Sequence, residues 1–237
     1  MPKTPYLSAD VLQAYCDGAL RNAAELTEEA TLLCKSRHFA RAYFLAVASI
    51  EETGKAAMAF DARGRDLTSK AVFDRLIQSF ANHSEKITSA FAPWFAAHPD
   101  KVREMAVPLA NLMVALKNGR EPSMYSEIRS DNHQIQLPSA VVRPKVAEDC
   151  VRLAADCLAT ATAHVAEKSP TKFTAVQDRL FALKPSKYQR TVKSEDFWWF
   201  YLAELEGGRS DLAAAVISYR ERFEARGVKF RSGASDT

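Results

Sequence analysis

The sequence predicts an all-α protein, a bundle of long helices, on three observations. Only eight of 237 residues are glycine, while the strong helix formers Ala, Leu, Glu, Lys and Arg are plentiful. Apolar residues return at intervals of three and four along most of the chain, where a half-buried strand would alternate. Alternation is confined to one short run, His133–Leu137, with no strand-rich segment beyond 133–142. A hydrophobic content of 47% is ample for a core, and the length suits one large domain, with or without an appendage.

Ser8, Ala9 and Asp10 offer caps for a first helix from about Val11 to Ser36, with Leu12, Leu20, Ala23, Thr27, Ala30 and Cys34 facing inward. The second helix, Arg37 to Phe60, is the most informative segment. On a wheel of 3.6 residues per turn, Phe39, Tyr43, Ala46, Val47, Ile50 and Gly54 form one stripe, while Phe44, Leu45 and Ala48 lie on the other side. A helix apolar on both sides belongs in a core. Leu67, Thr68 and Ser69 then open a third helix, Lys70 to about Phe95, with Val72, Leu76, Phe80, Ile87 and Phe91 inward. A fourth runs from about Pro99 to Asn118.

Residues 118–143 break the helical period; a connection this long in a compact domain is usually functional or mobile. A fifth helix, Pro144 to Lys168, restores it. The tail supplies about three more: Pro170 to Leu183, Ser194 to Glu206 and Arg209 to Arg226, ahead of a fraying end. The organisation expected is a main helical bundle over 1–168, with a helical extension over 169–237 packed on the same domain.

Composition narrows the function classes. A formal charge of +3 permits contact with nucleic acid without announcing it. The cysteines 16, 34, 150 and 157 contain no C-x-x-C pair, and Cys150 and Cys157, seven apart, share a helix face as small apolar residues. Reduced thiols in a cytoplasmic protein are expected. The start of the chain has no apolar signal core and no window approaches 18 apolar residues, so neither secretion nor contact with a membrane is expected.

No histidine follows a glutamate by three, no metal-spaced Cys or His pair occurs, and neither phosphate-cradling glycine motif nor G-x-S-x-G elbow is present. No metal and no cofactor are expected. What remains is polar side chains on helices. Glu51, Glu52 and Lys55 continue the buried side of the second helix, with the carboxylates N-terminal to the ammonium, the better pair orientation. Two accounts stand: a solvated edge pair worth about 0.3 kcal/mol, or a semi-buried network that orients a site. His83 and Lys86 form a second cluster. Trp198, Trp199, Phe200 and Tyr201 form a dense aromatic run, read as core with one or two rings facing a partner subunit, with base stacking as the alternative.

On these residues the chain resembles the AbiV family of bacterial abortive-infection proteins, grouped with the HEPN helical domains. The matching core is Arg41-Ala42, Leu45 to Ala48, Ile50-Glu51-Glu52 and Gly54-Lys55-Ala56, similar to the family's R-A…LA-x-x-x-x-EE-x-GK-A. His83 and Lys86 resemble its H-x-x-K. Arg120 to Tyr125, with the later Pro138, resembles a segment in which a basic residue precedes a Leu-Tyr pair; here Met124 stands where Leu is usual. The resemblance covers roughly residues 19–165 and implies a HEPN-like bundle with additional C-terminal helices.

It also implies an antiphage role as a toxin that shuts down the infected cell. Many HEPN proteins are dimeric, metal-independent ribonucleases in which an R-x(4–6)-H motif drives attack of a 2′-hydroxyl on its phosphodiester. That spacing is absent: Arg129 and His133 have three residues between them, and Arg75 and His83 have seven. Arg120 and Tyr125 fit the distance with a phenol in place of imidazole, and a phenol near pKa 10 is a poor base at neutral pH. The candidate catalytic residues are therefore Arg120, Tyr125, Arg129 and His133, in one loop, with Glu51, Glu52, Lys55, His83 and Lys86 as binding or orienting residues. The partners expected are a second copy of the chain and either RNA or a phage or host protein, the latter captured without catalysis.

Overall fold

A computed structural model describes residues 4–231 of the chain. In order the helices are α1 Ala9–Lys35, α2 Phe39–Ala62, α3 Lys70–Ala81, α4 His83–Ala90, α5 Ala92–Ala97, α6 Val102–Arg120, α7 Pro138–Val141, α8 Pro144–Glu167, α9 Ala175–Phe181, α10 Pro185–Val192, α11 Glu195–Glu206 and α12 Leu212–Arg222. The protein is all-α. Two-residue strands β1 Glu127–Ile128 and β2 Ile135–Gln136, between α6 and α7, pair antiparallel with Ile128 opposite Ile135. Among the described residues two compact units result: one of Ser8–Arg63 with Gln78–Pro170, the other of Gly64–Ile77 with residues 4–7 and 171–231.

The first unit is built on α2. It buries Tyr43, Ala46, Val47, Ile50 and Gly54 of the expected stripe, leaves Phe39 at the helix start half-buried, and adds Ala42, Thr53, Ala57 and Phe60. α1 and α8 meet it through mostly small side chains at steps of three, four and seven residues: Leu12, Cys16, Ala19, Ala23 and Ala30 on α1, and Ala147, Cys150, Ala154, Cys157 and Ala161 on α8. Cys16 and Ala19 are buried where Leu20 was expected, because a seam of small residues lets neighbouring backbones close up. Ser49 on α2 shows how close: its hydroxyl donates to the Ala23 carbonyl of α1 at 2.8 Å, so a buried polar group is satisfied across the seam.

The helix expected over Lys70–Phe95 is three. Asn82 leaves helical geometry at φ −88°, ψ 112°, and its side chain accepts from the Glu85 backbone N–H at 3.2 Å, capping α4. Asn82 followed three residues later by Glu85 is a helix-start signature, overridden in the sequence reading by the apolar periodicity running through it. Gly54 then fixes where α4 lies. A Cβ built there would stand 1.8 Å from the carbonyl oxygen of Lys86, so only glycine lets the two backbones touch. Among the described residues no helix is long and apolar enough to cross a membrane.

In the second unit Phe197, Phe200, Ala215, Val216 and Tyr219 form the core, with Tyr188, Val192, Phe223 and Phe230 against it. α10, which the sequence reading passed over, starts on Pro185 at its first turn. Asp196 is buried here and fully used: it accepts from the backbone N–H groups of Phe230 and Arg231 and from the Tyr219 hydroxyl. Arg65 lies between the rings of Phe173 and Phe181, 3.8 Å from each centroid, and donates to Asp178 at 2.8 Å.

Candidate functional site

One buried carboxylate organises the polar centre of the first unit. Glu51 is 4% exposed, on α2 one turn before Lys55. Because Gly54 admits α4, the first turn of that helix delivers two side chains to it. Lys86 Nζ lies 2.7 Å from Oε2, and His83 Nδ1 lies 2.8 Å from both carboxylate oxygens. The third neighbour arrives from the C-terminal end of α6: Arg120 Nε is 3.0 Å from Oε1, an ion pair whose N–H is not aligned for a hydrogen bond. Arg120 is further held over the Phe44 ring, 5.1 Å from its centroid, and pairs with Glu121.

The arrangement has chemical consequences. A carboxylate only accepts, so the proton between Glu51 and His83 sits on Nδ1, which leaves Nε2 as the nitrogen that exchanges a proton with solvent or substrate. The His83 side chain is 48% exposed, whereas Lys86 is 7% and Arg120 19% exposed. The imidazole is therefore the member open to solvent, oriented from behind by a buried carboxylate and flanked by two cations.

Glu52 faces elsewhere. It accepts from Lys55 Nζ at 2.5 Å, in a half-buried pair one step round the helix. Burial acts to lower the Lys55 ammonium, but the hydrogen bond and charge of Glu52, aided by Tyr15 and Glu51, hold it above its ordinary value. Burial likewise raises the Tyr15 phenol, against the pull of Lys55.

Of the four loop residues, Arg120 alone reaches Glu51. Tyr125 is exposed. Arg129 is turned onto Asp131, with Nη2 at 2.7 Å and Nε at 3.1 Å, inside the hairpin. His133 occupies the hairpin turn at φ +56°, its backbone N–H closing onto the Arg129 carbonyl at 2.8 Å. The expected set is thus divided: the Arg129 side chain is held by Asp131 and the His133 backbone by the hairpin turn, while Arg120, in the last turn of α6, joins Glu51, His83 and Lys86. Among the described residues no three His, Cys, Asp or Glu side chains converge as a metal site would need.

The first unit is thus a helical bundle whose charged centre joins a buried Glu of α2 to the His and Lys of α4 and the Arg at the end of α6. The family model for AbiV matches residues 11–159, which hold all four members of that centre, and the chain belongs to the AbiV family. No curated protein and no solved structure matches it.

Proposed function

We propose that this protein is an antiphage effector of the abortive-infection kind, acting as a metal-independent endoribonuclease through the Glu51–His83 pair. One observation carries the reading: a half-exposed imidazole held at Nδ1 by a buried carboxylate, beside Lys86 and Arg120. In this reaction His83 Nε2 takes the proton of a ribose 2′-hydroxyl, the 2′-oxygen attacks the adjacent phosphorus, and the 5′-oxygen leaves with the proton returned by the imidazolium. The products are a 2′,3′-cyclic phosphate and a 5′-hydroxyl. Arg120 and Lys86 supply positive potential for the charge that builds on phosphorus. Glu51 stabilises the imidazolium formed midway, as buried carboxylates behind catalytic histidines do.

The test uses total RNA incubated with purified protein, with and without extract of infected cells. Cleavage that leaves cyclic-phosphate ends and disappears in His83→Gln supports the assignment. Intact RNA under both conditions, with phage protection retained in His83→Gln, rejects it.

A second reading, non-catalytic capture of a phage or host protein, draws on the hairpin. Ile128 and Ile135 face each other across its strands at 72% and 71% exposure, an unusual outlay of apolar surface. Under capture, Ile128→Asp abolishes protection while His83→Gln does not. The working unit we expect is a homodimer: α11 leaves Trp198, Leu202 and Leu205 exposed along one face, as a contact between copies requires. Light scattering showing a monomer at tens of micromolar contradicts it.

A further inference from the structure

Between the start of α2 and the chain that follows α6 lies a cavity of about 430 Å³, within the range of small-molecule sites. It shares no residue with the Glu51 centre. Three basic side chains line it, Arg37, His38 and Arg41, and not one carboxylate does. None of the three has an ion-pair or hydrogen-bond partner for its side chain among the described residues. That sets them apart from Arg120, Arg129, Arg152 and Arg209, each of which holds a carboxylate. Two guanidinium groups and an imidazole gathered at one cavity without a counter-ion leave its positive charge to be met from outside.

The rest of the lining limits what can meet it. Phe39, Met124, Leu137 and Pro138 give an apolar wall and Ser126 and Ser139 add polar edges, while the hydroxyl of buried Ser123 is taken by the Arg120 carbonyl at 2.6 Å. A bare inorganic ion leaves that wall unused.

We propose that the cavity binds a phosphomonoester carried on a small, flat, apolar body. The phosphate carries close to two negative charges at neutral pH and offers three acceptor oxygens. Arg37 and Arg41 present planar forks that suit such oxygens two at a time, and His38 adds a ring N–H donor. The body lies on Phe39 and Leu137. Two sources share this chemistry: a free phosphorylated small molecule, and the phosphorylated 5′ end of a nucleic-acid strand.

Calorimetric titration of the full chain at physiological salt tests this, with phenyl phosphate, inorganic phosphate and phenol as probes. Phenyl phosphate should bind most tightly, inorganic phosphate more weakly, and phenol not measurably. Arg41→Ala and Arg37→Gly should each weaken phenyl phosphate by about tenfold, one lost charged fork. Glycine is chosen at Arg37 because that residue sits at φ +63°. Neither variant should melt below the parent, since neither side chain has a protein partner to lose and glycine suits the positive φ at position 37. Equal binding of phenol and phenyl phosphate, or phenyl phosphate affinity unmoved in both variants, overturns the proposal. Short oligonucleotides with and without a 5′-phosphate identify the source: binding that requires the phosphate and exceeds that of phenyl phosphate assigns a strand end, and weaker binding assigns a free ester. Oligonucleotide binding indifferent to the 5′-phosphate and unmoved in Arg41→Ala assigns a free ester to the cavity, because the Glu51 centre attracts strands by itself.

Discussion

Glu51 has three basic neighbours within 3.0 Å while almost sealed from solvent, and that imbalance makes its removal costly. Deleting one member of a buried ion pair strands the others, at about 3–5 kcal/mol. Glu51→Gln should therefore lower the denaturant midpoint strongly without changing the slope, because Lys86 stays buried without its counter-charge. Lys55→Ala removes a pair that is half in water, and about 0.2–1 kcal/mol is expected. If the two variants prove equally stable, the division of the charged trio into a buried centre and an edge pair is wrong. The thiols give a second prediction at this scale. Burial pushes Cys150 and Cys157 up to about 12 and Cys16 to about 11. A thiol alkylates as thiolate, so at pH 8 iodoacetamide should label native protein at Cys34, the half-buried one, and reach the other three only in denaturant. Rapid native labelling of Cys150 would contradict the α2–α8 packing.

At the scale of elements, the contact of α2 with α4 governs the site. Gly54→Ala drives a methyl into the Lys86 carbonyl, backbone against backbone, so α4 must shift and carry His83 and Lys86 off Glu51. The expected loss is about 1–3 kcal/mol, the usual range for overpacking, together with loss of antiphage protection. Gly18 in α1 is the matched control. A Cβ there meets nothing within 4 Å, so Gly18→Ala should stabilise by about 0.5–1 kcal/mol through helix propensity alone. Chemical denaturation of both variants checks the pair, and a harmless Gly54→Ala would mean that α4 can be seated without the close approach. The sequence marked this glycine, inside EE-x-GK, without revealing its partner.

At the scale of the whole molecule, the two compact units rely on different balances. The first gathers its buried charges, Glu51 and Lys86, in one centre; the second ties Phe230 and Arg231 to Asp196. Burial acts to raise that carboxyl, but the N–H groups of Phe230 and Arg231 and the Tyr219 hydroxyl outweigh it and hold it below its ordinary value. A depressed carboxyl contributes stability above its unfolded pKa, near 4, and loses it as pH falls through the folded value. The second unit should thus loosen below about pH 4. Trp198 and Trp199 fluorescence reports this, and in Asp196→Asn the step should shrink while stability at neutral pH falls. A titration identical in the variant would remove Asp196 from the acid response.

Much of this protein is written in local pattern. The all-α class, the burial of α2 and its stripe from Tyr43 to Gly54, the apolar use of Cys150 and Cys157, and the likeness to AbiV all follow from spacings of three, four and seven residues, which a helix converts directly into faces. The tertiary structure decided what those spacings leave open. Glu51 and Glu52 are neighbours in sequence and equally acidic, yet one is buried among cations and the other sits at an edge, because α4 packs over one side of α2 only. His83 comes to Glu51 from 32 residues away, through a helix break at Asn82 that the apolar period concealed. Arg129 and His133 share a loop with Arg120 but bond within their own hairpin. Local periodicity sets which face a side chain occupies; the long-range contact that meets that face depends on how backbones fit together, and here that fit turns on the absence of one methyl group at Gly54.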